Sequence, residues 1–422
     1  MLDIHFIREN AEIVKAGAAK KRIEADIDRL VAVDDERKRL TQELETKRAE
    51  QNRRSGEIQR AEGAEKERLL EAMRQLKAGM AESEEKLKEV MGEWQRLMLS
   101  VPNVPDMSVP EGESDEDNQE VKRWGEPTRF DFKPKSHVEL MVAAGLADFE
   151  RGAKVAGFRG YFLKGDAVLL SNAVWQLALK HWGAKGLEPM LVPSLVRREA
   201  FMGTGYLPQG EEDLYKTQDG EYLAGTGEVA TMGYYMNEVV PTAELPVKFL
   251  AFSPCFRREA GAHSKDVKGL IRVHEFFKWE QVVLCRALHD ESVRMHEEIN
   301  RNTEEFIELL KIPYHTVVNC GGDLGLGQVK KYDIELWVPG EGKYREISSA
   351  SYFHDFQTRR LNIRYRDEDG SLKFAHSLNS TAIPTPRILV SIIENYQQED
   401  GTIRVPEALV PYVGKEVIGR SA

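Results

Sequence analysis

A chain of 422 residues exceeds what one hydrophobic core supports, so at least two domains are expected, and a hydrophobic content of 41% suffices to fill them. With 70 Asp and Glu against 59 Lys and Arg the net charge is −11, which excludes a protein that holds nucleic acid by bulk charge and leaves only a local contact open. The three cysteines, Cys255, Cys285 and Cys320, stand far apart without a Cys-x-x-Cys pair or a histidine at zinc spacing, which implies a reducing compartment and no structural zinc.

The first ten residues lack the basic-then-apolar layout of a signal peptide, and no apolar run reaches about 18 residues, so a cytoplasmic protein with no membrane partner is expected. From 27 to about 98 there is no proline. Leu69, Met73, Leu76, Met80, Ser83, Leu87, Val90, Trp94 and Leu97 are spaced alternately four and three, a heptad seam. An earlier seam through Leu30, Val33, Leu40, Leu44 and Ile58 is interrupted by Arg37, Lys47, Gln51 and Arg54. A break over 60–64 lets the two helices fold back as an antiparallel hairpin, each of roughly 34 residues and about 50 Å. Periodicity alone allows a dimerisation or spacer coiled coil as readily as a binding arm. Lys47, Arg48, Arg53, Arg54 and Arg60 crowd toward the predicted tip, where apolar residues are scarce, and tilt the reading toward phosphate contact.

Residues 106–125 are acidic and poor in apolar side chains, and read as a linker between a domain over 1–105 and another over 126–422. Beyond it the patterns predict a helix over 171–182, a strand over 187–192, two strand-like runs over 245–257 and 270–284, and a helix over 288–310. Strands over 314–319 and 332–337, a further strand and a helix over 386–396 follow. Adjacent strands joined by hairpins indicate an α+β fold with an antiparallel sheet and helices, not a doubly wound parallel sheet. The glycines of 321–327 complete neither a dinucleotide fingerprint nor a P-loop, and read as a substrate-side turn.

The two apolar runs over 245–257 and 270–284 flank a small-residue, basic loop. Arg257 and Glu259 are expected at the end of the first strand, while Arg272, Phe276 and Glu280 recur every four residues and share one face of the second. A guanidinium fork for phosphate or carboxylate, a ring for a base and a carboxylate for an amino group suit a nucleotide bound beside an amino acid. Glu346 with Ser349 offers one carboxylate and one hydroxyl, enough for Mg²⁺ when phosphate and water complete its shell, or else a strand end with a capping serine.

The run Cys-Phe-Arg-x-Glu-Ala-Gly from Cys255, continuing to Lys268-Gly-Leu-Ile-Arg272 and His-x-Phe, resembles motif 2 of the class II aminoacyl-tRNA synthetases in the form found in seryl-tRNA synthetases. The helix, turn and strand ending at Pro193 resemble motif 1, and the stretch from Leu378 through Arg387 to Gln397 resembles motif 3, with Ser380, Ala382, Pro384 and Pro386 where glycines are common. The segments from Asn319 and from Lys330 to Trp337 are similar to the seryl family, as is Glu346-Ile-Ser-Ser349, with Ala350 where the family commonly has cysteine.

The resemblance covers nearly the whole chain. It implies a homodimeric serine–tRNA ligase whose arm grips the long variable arm of serine tRNA, and of selenocysteine tRNA where present, through Lys47, Arg48, Arg53 and Arg54. It implies a class II catalytic domain with ATP, serine and Mg²⁺ as small-molecule partners. Arg257 and Arg387 are the expected catalytic residues. ATP is expected on Arg257, Arg258, Glu259, Arg272, Val273, Phe276, Glu346, Ile347, Ser348, Ser349 and Arg387. Serine is expected on Thr226, Gly227, Glu228, Arg257, Glu280, Asn379 and Thr381, and Mg²⁺ on Glu346 and Ser349. A paralogue that aminoacylates a carrier protein and a vestigial coiled-coil scaffold are the rival readings; the arm speaks against the first and the intact charged set against the second.

Overall fold

The computed structural model of the chain describes residues 1–260, 266 and 268–419, and divides into two compact units, Met1–Val104 and Pro105–Ala422. The loop residues 261–265 and 267 lie outside the described residues.

In the first unit a 34-residue helix, α1 (Ile27–Arg60), and a 38-residue helix, α2 (Gly63–Ser100), lie antiparallel, with Arg29 beside Glu93 and Lys47 beside Ser83. At 1.5 Å per residue they are about 51 and 57 Å long. The reversal takes two residues, and Gly63 enters α2 at φ +58°, a conformation that side chains rarely adopt. Every expected seam position of α2 is buried or half-buried, and so are Leu30, Val33, Leu40, Leu44 and Ile58 of α1. The polar interruptions belong to the same seam. Lys47 donates to Glu43, Gly79 O and Ser83 Oγ at 2.6, 3.0 and 2.8 Å. Near the base, Asp34 is fully buried and accepts from Arg8, Arg37 and the Trp94 indole, with Lys38 also paired to it.

In the second unit an eight-stranded sheet carries the site. Its strands are β1 (Gln119–Trp124), β2 (Glu188–Leu191), β3 (Val247–Phe256), β4 (Glu275–Cys285), β5 (Tyr314–Val318), β6 (Lys330–Val338), β7 (Lys343–His354) and β8 (His376–Thr385). Their order is β1-β5-β6-β7-β8-β4-β3-β2, antiparallel throughout except that edge strand β2 runs parallel to β3. Helices α3 (Asp166–Gly183), α4 (His289–Leu309) and α5 (Arg387–Asn395) share one core with the sheet, around Trp182, Phe306, Leu310, Ile383, Leu389 and Ile393. Alternation along β4 sorts the faces. Gln281 bonds to Ile299 O and Thr303 of α4, while Lys278 and Glu280 open into a cavity on the opposite face.

Two expectations are corrected. Residues 106–125 are not an unpacked linker: Asp106 N bonds to Val329 O, Gly321 N to Pro110 O, Cys320 Sγ to Ser114 O, and 119–124 form edge strand β1 against β5. Backbone pairing and a single buried Val109 are enough to seat an acidic segment. The run over 270–284 is a strand only from Glu275. Leu270, Ile271 and Val273 are buried, but their segment's polar backbone is satisfied outside the ladder, by His137, Arg387 and Arg257. Because His137 Nε2 accepts from Leu270 N, its proton sits on Nδ1 and goes to buried Glu394. Gly269, at φ +94°, lies so close to the His137 ring that no Cβ fits between them.

Candidate active site

The cavity has a volume of about 410 Å³ and takes its walls from β4, β7 and β8, the residues that follow β3, the start of α5 and the short helix Gly227–Gly233. That size accommodates a small ligand of nucleotide or amino-acid scale. Arg257, Glu259, Val273, Phe276, Glu346, Ile347, Ser349 and Arg387 line one part of it, and Thr226, Glu228, Glu280, Asn379 and Thr381 another.

Arg257 leaves β3 with its Nε bonded to Gly225 O at 3.2 Å and its guanidinium 5.3 Å from the centroid of the Phe276 ring. Arg387, the first residue of α5, donates Nε to Ile271 O at 2.9 Å and Nη1 to Glu346 O at 3.1 Å, so loop and strand backbone aim it. Glu259 stands at φ +55° and is paired with Arg272, which also faces Asp266 at 3.7 Å. Arg272 is therefore not a member of the β4 face, and it does not line the cavity; it holds Glu259. Nor do three other expected residues line it. Arg258 turns outward to Glu212 O at 3.1 Å, Ser348 is buried with its hydroxyl on Thr381 O, and Gly227 packs near Ser253 and Ala251. In Ser348 the cause is strand alternation, which sends its neighbours Ile347 and Ser349 to different surroundings from its own.

The other part is a buried polar set. Glu280 is 1% exposed and accepts from Thr226 Oγ1 and Asn379 Nδ2, both at 3.2 Å, beside the ammonium of Lys278. Glu228 accepts from Tyr206 Oη at 3.0 Å and Gln357 Nε2 at 2.7 Å. Burial, against the hydrogen bond from Gln357 and reinforced by the charge of Glu280, pushes the Glu228 carboxyl up to about 7. Lys278, Tyr206 and Gln357 are not among the residues expected from sequence. Lys278 was legible in principle, because a strand with Phe276 and Glu280 on one face puts residue 278 on that face as well. The glycine-rich turn does reach the substrate side: Gly325 and Gly327 line the cavity, and a Cβ on Gly327 would meet the Phe356 ring at 2.8 Å.

Glu346 and Ser349 bring a carboxylate and a hydroxyl to one wall, hard oxygens of the kind Mg²⁺ takes when phosphate and water fill its remaining positions. Among the described residues no group of three or more His, Cys, Asp or Glu side chains could hold a metal without such help.

Comparison with known proteins agrees with this geometry. Residues 1–105 match the seryl-tRNA synthetase N-terminal domain, and residues 215–396 match the class II tRNA synthetase core domain (G, H, P, S and T). A serine–tRNA ligase of Deinococcus radiodurans is 45% identical over 422 residues, covering 100% of this chain and 99% of its own. The chain belongs to the serine–tRNA ligase family. The crystal structure of seryl-tRNA synthetase from Pyrococcus horikoshii complexed with ATP superposes with a TM-score of 0.92 at 38% identity, covering 100% of both chains. The cytoplasmic enzyme of Naegleria fowleri in complex with AMP gives 0.87 at 32% identity, covering 99% of this chain and 98% of its own.

Within this family member the four expected RNA-contacting cations are not equivalent. Arg48 and Arg53 are largely exposed, with single-sided partners in Glu84 and in Glu50 and Glu57. Lys47 and Arg54 are about three-quarters buried, Lys47 with its three donors used inside the arm and Arg54 on Glu50. No helix among the described residues is long and apolar enough to cross a membrane.

Proposed function

We propose that the chain activates serine with ATP and transfers it to the 3′ end of serine tRNA. The observation that carries this is one cavity lined by Arg257, Phe276 and Arg387 together with the buried Glu280, Thr226 and Thr381 and the half-buried Asn379. In the first step the serine carboxylate attacks the α-phosphate of ATP in line and pyrophosphate leaves. Arg257 bridges carboxylate and α-phosphate, Phe276 stacks the adenine, Glu259 reads its amino edge, and Arg387 meets charge on the β,γ end. Glu228 and Thr226 receive the serine ammonium, and Glu280 and Thr381 its hydroxyl. Glu346 and Ser349 are the residues that would hold Mg²⁺, which neutralises phosphate charge when bound. In the second step the terminal ribose hydroxyl of the tRNA attacks the adenylate carbonyl and AMP leaves. Both steps proceed by positioning and electrostatics without a protein nucleophile.

The same reading assigns residues 1–105 to the tRNA variable arm and the second unit to catalysis. A homodimer through edge strand β2 is part of it, supported by the exposed leucines Leu191 at the end of that strand, Leu195 just after it and Leu179 on α3. A cytoplasmic location is supported by three free, buried cysteines. The test is serine-dependent exchange of pyrophosphate into ATP, followed by charging of serine tRNA with and without its variable arm. Exchange driven by another amino acid in preference to serine overturns the assignment.

A further inference from the structure

Phe276, Lys278 and Glu280 alternate onto the cavity face of β4, and the mechanism above uses only the first and third. The Lys278 side chain is 5% exposed, and its ammonium sits between the Glu280 carboxylate, Thr226 Oγ1 at 2.9 Å and Thr381 Oγ1 at 3.5 Å. An ammonium has three donors and no acceptor. Both threonine oxygens therefore receive a hydrogen from Lys278, and each must spend its own hydrogen elsewhere. Thr226 gives its hydrogen to Glu280 Oε2 at 3.2 Å. Thr381 lines the cavity, and among the described residues no side chain accepts from its hydroxyl. Glu280, whose Oε1 accepts from Asn379 at 3.2 Å, can only accept.

We infer that Lys278 sets the hydrogen-bond polarity of the amino-acid pocket, turning Glu280 into an acceptor and Thr381 into a donor toward the substrate side chain. A hydroxyl is donor and acceptor at once and satisfies both. The hydrogen of glycine and the methyl of alanine satisfy neither, and leave buried polar groups unpaired. Lys278 is thus a positioning residue that determines specificity, a role that rests on the reading of this cavity as a serine site.

The test is pyrophosphate exchange by the full-length protein and its Lys278→Met variant, with serine and with alanine, alongside thermal melting. In the variant kcat/KM for serine should fall about a hundredfold, the upper scale of leaving one buried polar group unpaired, chiefly through KM. The KM for ATP and the rate with alanine should stay within about threefold of the parent values, so the preference for serine over alanine collapses. A loss of packing alone would move ATP and both amino acids together. If the methionine variant does not melt like the parent, the comparison is made on Lys278→Leu, which likewise carries no donor. Parent-like selectivity in whichever variant is folded overturns the inference. A parent protein that fails to activate serine at all overturns the underlying assignment instead.

Discussion

The guanidinium of Arg257 lies 5.3 Å from the centroid of the Phe276 ring, held there by a hydrogen bond to Gly225 O. Neither side chain belongs to the hydrophobic core, so the pair can be broken without unfolding the sheet. Replacing Arg257 by Ala should raise the barrier to adenylate formation by about 3 kcal/mol or more, the scale of removing a donor to developing charge. Melting temperature should change little. Near-normal serine-dependent exchange in the variant is the outcome that contradicts the assignment.

Glu228 titrates at about 7, well above its ordinary 4.5, chiefly because it is buried. Serine binding needs the ionised form to meet the ammonium, so kcat/KM for serine should rise with pH up to a plateau just above 7. Stability of the unliganded protein should move the other way. A carboxyl whose folded value is raised contributes stability at acid pH that is lost as pH climbs from about 4.5 to 7. Glu228→Gln should flatten both profiles over that window, measured by exchange kinetics and thermal melting. An unchanged pH profile in the variant assigns the titration to another group.

The arm separates contact from structure. Arg48→Ala with Arg53→Ala should weaken binding of serine tRNA and reduce the steepness of its salt dependence by about one to two charges. Pyrophosphate exchange should be untouched. Lys47→Ala removes three hydrogen bonds within the arm and should lower the melting temperature of the first unit while leaving the salt slope close to that of the parent. Equal slopes in parent and double variant would remove these two arginines from the RNA interface.

Asp34 gathers Arg8, Arg37, Lys38 and Trp94 around a fully buried carboxylate. Although burial opposes ionisation, these partners hold the carboxyl below its ordinary range. Asp34→Ala should cost about 3 kcal/mol, the low end for breaking a buried pair because the cations keep some access to water. Chemical denaturation of the first unit measures it. The contribution of Asp34 is present above its unfolded value and is lost as pH falls through the folded one, so the parent should lose more stability in acid than Asp34→Ala.

The heptad spacing from Leu69 to Leu97 reads directly as a buried stripe, because helical period and burial are tied by geometry alone. The same spacing made Arg37 and Lys47 look like interruptions, since polar partners across the helix pair are invisible in one strand of sequence. Leu270 to Val273 show the limit for strands: apolar residues report burial, not which backbone satisfies which. The acidic stretch before Gln119 packs for the converse reason, because backbone pairing leaves no trace in side-chain composition. At the site, Arg257, Phe276, Glu280 and Arg387 stood out by chemistry and resemblance. Gln357 and Tyr206 did not, because their role is to share one proton donor each with Glu228, a relation that only the folded chain brings about.

Outward of Lys47 the arm is held by the α2 seam, by Ile58 and by local pairs such as Arg54 with Glu50. Both polar pins, Asp34 and Lys47, lie on the base side of that stretch. Seven residues added to each helix beyond Lys47 would keep every seam position in phase and carry the tip about 10 Å farther along the helix axis. Reach is therefore adjustable in whole-heptad steps, a vernier that evolution or design can turn without altering a single side chain of the chemistry.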